Sequence, residues 1–561
     1  MLGALALGAI VFAWALPLQS AGCAQTAHYA GIRAIANGVP YIDQWTQQTC
    51  DAVRSDGHVY AAKGPLLDLW TAPWYMLLHA VGAIPADRNV GMKYPNAMVG
   101  VQLRALWEMS LWAVVLPGLL LLVLVRKAAE RIEPGTGVAV AATLGLGTLV
   151  LPYATLLFSH VPAAMLLFAG FVLLFRGSPP LLAGACAGLA VAAEPPAAIP
   201  AVVVGLYAAS RTPRVRRVVL FGAGGIIGLA PLWAFDIWAF GNPLHLGYTG
   251  TPALGAAGGW EYSGFFGQTM PSFRIIVWLL LSSRGLLVLT PVLVLAAVGG
   301  VVLWRRGLRH EAGLLAALVV VELVWNSARH PADAALGGWV PGPRFLITLL
   351  PFLCVALAPV VRRAPATFAA LAAISIGAMA IATSAEPLLS NDDTHHWIAR
   401  VADGNFTDTV LSLGTIGHGW LAIMPFYALV LAAVACAVAA TRVTVTKREV
   451  VTAAAAVLAW VVVERGTPEL LRVDALVHTA WGTVAALLLV VGASWAVARG
   501  RPEGLLLLPF AVVGFDRHTK WALLLALAVV LLESARWLRS TGNTALRPST
   551  TSLVRRRSSG P

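Results

Sequence analysis

Long apolar stretches alternate with short polar ones along most of the chain. The longest mostly apolar runs are residues 106–125, 137–156, 218–235, 345–361, 420–440 and 476–497. A helix needs about 20 such residues to cross the hydrocarbon core of a bilayer. Counted by that rule, and including shorter or proline-interrupted runs such as 182–207 and 505–513, the chain is expected to cross about 13 to 16 times. The pattern therefore predicts an all-α polytopic membrane protein.

The composition agrees with that prediction. Of 561 residues 58% are hydrophobic and only 12% are charged, whereas about a quarter of the residues of a soluble domain are charged. The net charge of +13 comes from short basic clusters between apolar runs, among them 211–217, 305–309 and 442–448. Because basic loops stay on the cytoplasmic side, these clusters predict orientation rather than a nucleic-acid partner. The Ser-rich and basic segment 540–561 is expected to be a disordered cytoplasmic tail.

With the basic clusters inside, three long segments fall outside: 19–104, 240–283 and 386–418. Long loops on a rigid scaffold often carry function, and the first of these combines carboxylates with Lys63 and aromatic side chains. A carboxylate can act as a general base and a lysine can neutralise a phosphate; alternatively, these are solvated loop charges beside an aromatic belt. Residues 66–84 are predicted to be interfacial or re-entrant. Cys23 and Cys50 share this segment, where an oxidising environment permits a disulfide.

Two arginines on the predicted outer side precede apolar runs, against the positive-inside trend. Arg284 follows two serines, and Arg344 follows the turn-forming stretch 337–343, which contains Trp339. The planar guanidinium suits phosphate; the alternative is an arginine that snorkels to the membrane surface. If Lys63 and Arg344 bind one lipid phosphate, they must converge on one cavity at the outer leaflet.

Ionisable side chains within apolar runs are candidates for function, or are helix-end residues that reach water. His160 and Glu194 are two such residues, each near a proline. The sequence contains no phosphate-binding P-loop, dinucleotide fingerprint, HExxH or CxxC motif. A nucleotide-driven pump and a zinc membrane protease therefore have little support.

The stretch from Gly57 to Trp70 resembles a G-x-x-Y-x-x-K-P-P-L element, with Lys63-Gly64-Pro65 where Lys-Pro-Pro is usual. Gly342 to Phe345, followed by Leu350-Pro351-Phe352, is similar to an R-Y-x-x-P-x-x-P element. With both elements in this order after a first helix, the chain resembles the GT-C superfamily of polyprenyl-phosphate-sugar-dependent glycosyltransferases, especially its protein mannosyltransferase and aminoarabinose transferase branch. The resemblance covers residues 1–361, which it implies to be a GT-C-like catalytic module, and leaves 362–539 as additional transmembrane helices.

The resemblance implies a multi-pass cell-membrane enzyme surrounded by lipid. It would move a sugar from a polyprenyl-phosphate donor to a glycan, lipid or protein acceptor on the extracytoplasmic face. The implied phosphate ligands are Lys63 and Arg344, with Arg284 a weaker candidate. The further candidate substrate-binding residues are His58, Tyr60, His160 and Trp339.

One departure from the family affects the catalytic base. The family has an Asp-Glu pair after the first helix, but Gln25-Thr26 stands there in this chain. We therefore predict Asp43 or Asp51 as the base. Carboxylates and His58 leave a divalent metal possible, although no ligand spacing demands one and no cofactor is certain. The alternatives are a transporter or lipid flippase, which inverted repeats would favour, and a catalytically inactive scaffold subunit, which the missing acid pair would favour.

Overall fold

A computed structural model describes residues 1–84, 100–245, 247, 251–252, 268, 270–329, 336–338, 340–388, 394–414 and 416–471. This part of the chain is mainly helical. The predicted crossings after residue 471, the predicted tail 540–561 and Trp339 lie outside the described residues.

The helices up to residue 240 are α1 (Leu2–Ala15), α2 (Cys23–Ala36), α3 (Leu66–Ala80), α4 (Gly100–Ser110), α5 (Leu116–Ile132), α6 (Gly137–Leu146), α7 (Val150–Ala154), α8 (His160–Phe175), α9 (Pro180–Ala193), α10 (Ala198–Ala208) and α11 (Arg214–Phe240). Those that follow are α12 (Phe273–Leu281), α13 (Leu286–Leu289), α14 (Leu295–Arg305), α15 (Arg309–Ser327), α16 (Leu350–Ala356), α17 (Ala358–Arg363), α18 (Pro365–Ser384), α19 (Thr394–Ala402), α20 (Val410–Leu413), α21 (Trp420–Thr441) and α22 (Lys447–Leu471). The strands are β1 (Pro17–Leu18), β2 (Ala52–Ser55), β3 (His58–Ala61), β4 (Thr251–Pro252) and β5 (Asp408–Thr409).

Six helical segments of the described part are long and apolar enough to cross a membrane. They are Leu103–Ile132, Arg214–Phe240, Arg309–Ser327, Arg344–Arg363, Pro365–Ser384 and Trp420–Thr441. A bent pair, Phe273–Leu289 with Pro291–Arg305, makes up to seven. The chain is thus a helical multi-pass membrane protein.

This number is smaller than the 13 to 16 expected crossings, which also counted runs beyond residue 471. Several apolar runs fold as shorter helices rather than full spans. The run 182–207, for example, is divided into α9 and α10, because Pro195 and Pro196 interrupt the helical hydrogen bonding.

The basic ends of three helices lie together. Glu133, just after α5, accepts a hydrogen bond from Arg306 at 2.5 Å and lies 3.8 Å from Arg362. Arg362 also donates to the carbonyl oxygen of Pro134 at 2.7 Å. Basic residues of the segments 305–309 and 362–363 therefore meet at Glu133. The span that carries Arg362 near one end begins at Arg344, which lines the candidate site.

The first outer segment is folded rather than an extended loop. Strands β2 and β3 form a hairpin in which Ser55 pairs with His58, so the turn is Asp56-Gly57. Both turn residues have positive φ, 48° and 86°, as the two-residue turn favoured in hairpins requires. A hydrophobic cluster packs the hairpin on α2 through Ala30, Ala34, Ile42, Trp45, Ala52 and Val59. The disulfide that an oxidising environment would permit between Cys23 and Cys50 is present, and it ties α2 to the start of the hairpin.

Helix α3 follows the hairpin at residues 66–80 and is too short to span, in keeping with the interfacial or re-entrant prediction. Residues after 361 pack on those before it: β1 pairs with β5, and Trp460 donates to the carbonyl oxygen of Val288 at 2.9 Å. Residues 1–471 form one compact unit, so the boundary predicted at 361 lies inside it.

Candidate functional site

A cavity of about 30 Å³ lies where the first outer segment meets the ends of several helices. Its charged and titratable lining includes Lys63, His160, Glu194, Arg329 and Arg344. Each of these residues stands at or near a helix end. Lys63 precedes α3, His160 begins α8 and Glu194 follows α9. Arg329 follows α15, and Arg344 begins the 3-10 helix 344–349. Lys63 and Arg344 both line this cavity, as they must if they are to bind one lipid phosphate.

The three cations are held in different ways. The Lys63 ammonium donates to the carboxylate of Asp51. The guanidinium carbon of Arg329 lies 3.6 Å from the ring centroid of Phe345, and that of Arg344 lies 5.0 Å from the same centroid. Arg344 is buried, and its Nε has no hydrogen-bond partner among the described residues. Aromatic faces stabilise guanidinium groups without using their N–H donors, so Arg344 retains a donor for an anion.

The loop before Arg344 fixes its position. Gly337 has φ 98°, and a Cβ at this residue would lie 2.5 Å from Arg344 Nε. Arg284 donates to the carbonyl oxygens of Gly338 and Val340, at 2.9 and 3.0 Å. Arg284 therefore supports the loop that carries Arg344 and is not among the side chains that line the cavity.

Among the described residues, Glu194 is the carboxylate that lines the cavity. Its Oε2 accepts a hydrogen bond from the Ser159 hydroxyl and lies 3.3 Å from His160 Nδ1. Burial alone raises the pKa of Glu194, but His160, Ser159 and the two cations Lys63 and Arg344 together hold that pKa below its ordinary value. An ionised carboxylate thus faces the three cations across the cavity.

Gly64 brings the Lys63 segment against the end of α9. A Cβ at Gly64 would lie 2.5 Å from the carbonyl oxygen of Ala193 and 2.9 Å from that of Ala192. Only a glycine permits this approach without displacement, which places Lys63 close to Glu194. The contact explains why glycine stands here where the resembling family has proline.

A histidine and an aspartate form a buried pair at the same cavity. His28 Nδ1 lies 2.7 Å from Asp68 Oδ1, and both residues are almost fully buried. His28 lines the cavity, and its Nε2 has no hydrogen-bond partner among the described residues. Burial raises the pKa of Asp68 above its ordinary value, although His28 and Lys63 partly oppose this shift. The pair places an imidazole nitrogen at the cavity that is without a partner in the described structure.

A second, smaller cavity adjoins the first and shares His160, Glu194 and Phe345 with it. Its lining includes Glu322, which accepts hydrogen bonds from Asn326 and Thr348, each at 3.1 Å. A polar chamber inside the helical bundle thus extends the cationic cavity.

The predicted bases lie in different surroundings. Asp43 accepts hydrogen bonds from His58 and from the backbone N–H of Val59, both at 2.7 Å, and the Asp43 and His58 side chains are more than a third exposed. His58 also stacks on Tyr41. This pair fastens the hairpin to the segment before it and does not line the cavity. Asp51, in contrast, reaches the cavity through its ion pair with Lys63.

Tyr60 lies apart from the cavity lining as well. Its hydroxyl donates to the carbonyl oxygen of Ala239 at 3.1 Å, and its ring contacts Phe240. Tyr60 therefore joins the hairpin to the end of α11. Burial and the nearby carboxylates raise the pKa of Tyr60.

Sequence reasoning missed His28, Asp68 and Arg329. His28 could have been noticed because it lies one helical turn after Gln25, near the position where GT-C glycosyltransferases carry their acid pair. Asp68 could have been noticed as the one carboxylate of α3, within the motif-like stretch from Gly57 to Trp70. In the part of the chain that the structure describes, no group of three or more His, Cys, Asp or Glu side chains is arranged to hold a metal ion.

Comparison with known proteins gives one similarity. No family model matches the chain, and no curated protein matches it. Among solved structures, that of ArnT from Cupriavidus metallidurans in the apo state is similar over 96% of this chain and 77% of that chain, with 16% identity and a TM-score of 0.38. A likeness at this level carries no argument about activity. The fold and the site themselves define a multi-pass helical membrane protein with a buried, cation-lined cavity at one end of its helices.

Proposed function

We propose that this protein is a GT-C-type membrane glycosyltransferase that moves a sugar from a polyprenyl-phosphate donor to a glycan, lipid or protein acceptor on the extracytoplasmic face. The observation that carries the proposal is the convergence of Lys63, Arg329 and Arg344 on one cavity beside the ionised Glu194. The sequence motifs that resemble the family contribute two of these cations.

A buried cluster of cations calls for an anionic ligand. Charges removed from water are costly unless they are paired and hydrogen-bonded. Asp51 pairs with Lys63, whereas Arg344 packs on aromatic rings and its Nε has no hydrogen-bond partner among the described residues. A lipid phosphate would bring a negative charge to Arg344 and accept hydrogen bonds from its guanidinium group. In sugar transfer the same phosphate is the leaving group, so positive charge held in place stabilises the charge that develops on it.

The basic helix ends support the proposed side of the membrane. Arg306 and Arg362 lie together, and the span that carries Arg362 near one end has Arg344, of the cavity lining, at the other. Because basic ends stay in the cytoplasm, this arrangement favours a cavity on the extracytoplasmic face. The disulfide between Cys23 and Cys50 agrees with an oxidising compartment on that side.

The proposal is tested first by donor binding. Purified protein in lipid nanodiscs would be titrated with decaprenyl phosphate and, separately, with decaprenol, which lacks the charge. Lys63→Met and Arg344→Met are each expected to weaken binding of the phosphate by about 10- to 150-fold, the range for losing a charged hydrogen bond. Arg54→Met, which removes an exposed cation of the same hairpin, is the matched control and is expected to bind as the parent does.

Transfer is tested in membranes of a deletion strain supplied with polyprenyl phosphates that carry radiolabelled glucose, galactose, mannose or arabinose. The parental protein is expected to move label from the lipid into another fraction, and Lys63→Met and Arg344→Met are expected not to. Equal binding of decaprenol and decaprenyl phosphate would contradict the proposal. Tight binding without transfer of any of the four sugars would favour the transporter, flippase or scaffold alternative.

A further inference from the structure

The proton acceptor for the attacking hydroxyl has to be found in this structure, because neither residue at the family's acid position is a base. The two carboxylates predicted as bases, Asp43 and Asp51, and the cavity carboxylate Glu194 already have hydrogen-bond or ion-pair partners. Asp43 is held by His58 at the surface, Asp51 by Lys63, and Glu194 by Ser159 and His160. A base needs a lone pair that faces the substrate.

We propose that His28 is the catalytic base of this site and that Asp68 is its positioning residue. The inference rests on the proposed function and adds the group that accepts the proton. Its basis is geometric: His28 Nδ1 is bonded to Asp68 Oδ1 at 2.7 Å, while Nε2 is buried, without a partner in the described structure, on a ring that lines the cationic cavity.

The hydrogen bond to Asp68 fixes the state of the ring. A carboxylate accepts the proton of Nδ1–H and so leaves the lone pair on Nε2. After proton transfer the same carboxylate stabilises the imidazolium. The arrangement is that of a base oriented by a third group, assembled here from helices α2 and α3.

The reaction then balances without a further reactant. The oxygen of the acceptor hydroxyl forms a bond to the anomeric carbon of the sugar, and the bond between that carbon and the phosphate oxygen breaks. The polyprenyl phosphate leaves with the bonding electron pair beside Lys63 and Arg344. The hydroxyl proton passes to Nε2 of His28, and the imidazolium returns it to water after the product departs.

Gly31 gives Asp68 the space to reach His28. Gly31 lies three residues after His28 on α2, and a Cβ at this position would overlap Asp68 Oδ2 and lie 3.0 Å from its Cγ. Gly31→Ala is therefore expected to push the Asp68 carboxylate away from the ring while His28 itself is kept. Gly313→Ala, at a helical glycine of α15 with nothing within 4 Å of the new Cβ, is the matched control.

The test measures sugar transfer and lipid binding side by side. His28→Ala and His28→Gln are expected to lower the transfer rate by about 10² to 10⁴, the usual contribution of a general base, and to bind decaprenyl phosphate within about threefold of the parent. Asp68→Asn and Gly31→Ala are expected to lower transfer by about tenfold or more, and Gly313→Ala to leave it unchanged. Added imidazole is expected to restore part of the rate of His28→Ala but none of the rate of Lys63→Met.

Each outcome decides one statement. Parental transfer rates in both His28 variants would overturn the inference and leave the proposed function intact. Loss of transfer together with loss of decaprenyl phosphate binding, and without rescue by imidazole, would show a structural role and would also overturn it. Absence of transfer by the parental protein with every sugar would overturn the proposed function and the inference together.

Discussion

The position of Arg344 depends on the absence of a side chain at Gly337, and this gives a sharp test of its role. In Gly337→Ala the new Cβ would lie 2.5 Å from Nε of Arg344, 2.7 Å from its Cγ and 2.8 Å from its Cδ. Carbon atoms in favourable contact are about 3.5 Å apart or more. Because Cγ and Cδ lie near the backbone, rotation of the guanidinium tip does not relieve the overlap, and the side chain has to retreat by about 1 Å.

A displacement of this size is large for hydrogen bonding. An N–H···O bond of about 2.9 Å would lengthen to nearly 4 Å, beyond the range in which such bonds form. The lost charged hydrogen bond is worth about 1.5 to 3 kcal/mol, which corresponds to a factor of about 10 to 150 in affinity. Gly337→Ala is therefore expected to weaken binding of decaprenyl phosphate by that factor.

Gly338 supplies the matched control. It also has positive φ, 86° against 98° for Gly337, but a Cβ at Gly338 has nothing within 4 Å. Both alanine variants bear a backbone strain of about 1 to 2 kcal/mol, and only Gly337→Ala displaces Arg344. Titration in nanodiscs, with thermal unfolding measured on the same samples, separates the two effects. Binding by the two variants that agrees within about threefold would refute the assignment of Arg344 to the phosphate.

Three further predictions concern the contact at Gly64, the ionisation of Glu194 and the orientation in the membrane. Gly64→Ala is expected to destabilise the protein by about 1 to 3 kcal/mol and to slow sugar transfer, because the new Cβ would overlap the Ala193 carbonyl oxygen. The control Gly8→Ala, whose Cβ would have nothing within 4 Å, is expected to change neither the unfolding temperature nor the transfer rate. Because the pKa of Glu194 is held below its ordinary value of 4.5, the ionised Glu194 stabilises the folded protein above about pH 4.5, and this stabilisation is lost as the pH falls through the lowered pKa. Glu194→Gln should therefore make the unfolding temperature less dependent on pH in the acid range. An unchanged pH dependence would count against an ionised Glu194. A cysteine at position 56 is expected to react with an impermeant maleimide added outside cells and one at position 214 is not, and the opposite labelling would reverse the assigned orientation.

The sequence predicts the features that follow from local patterns. Apolar runs mark the membrane helices, although prolines 195 and 196 divide one of them. Lys63 and Arg344 are found from short motifs, since glycine and proline mark the turns before helix starts. The shared outer segment of Cys23 and Cys50 is enough to propose their disulfide.

The contact between His28 and Asp68, in contrast, does not follow from a local sequence pattern. They are 40 residues apart, and neither stands in a motif for a catalytic pair. Their contact depends on how α3 folds back on α2 and on the missing side chain at Gly31. The pattern of a single sequence reveals neither how these two helices pack nor the space that Gly31 leaves between them. Asp43 shows the converse, because its place in the loop suits a base while its contacts with His58 and Val59 make it part of the hairpin.

The contacts of Gln25 give a physical reason why the proposed base does not stand at position 25. Gln25 is buried, its carbonyl oxygen accepts the backbone N–H of Leu157 at 3.1 Å, and its amide donates to the Ser20 carbonyl oxygen at 2.9 Å. An ionised carboxylate there has no proton to donate and would lose the second bond. Position 25 thus holds the segment before α8 against α2. His28 lies three residues further along α2, on the same face of the helix, and lines the cavity, which is why we propose the base there and not at position 25.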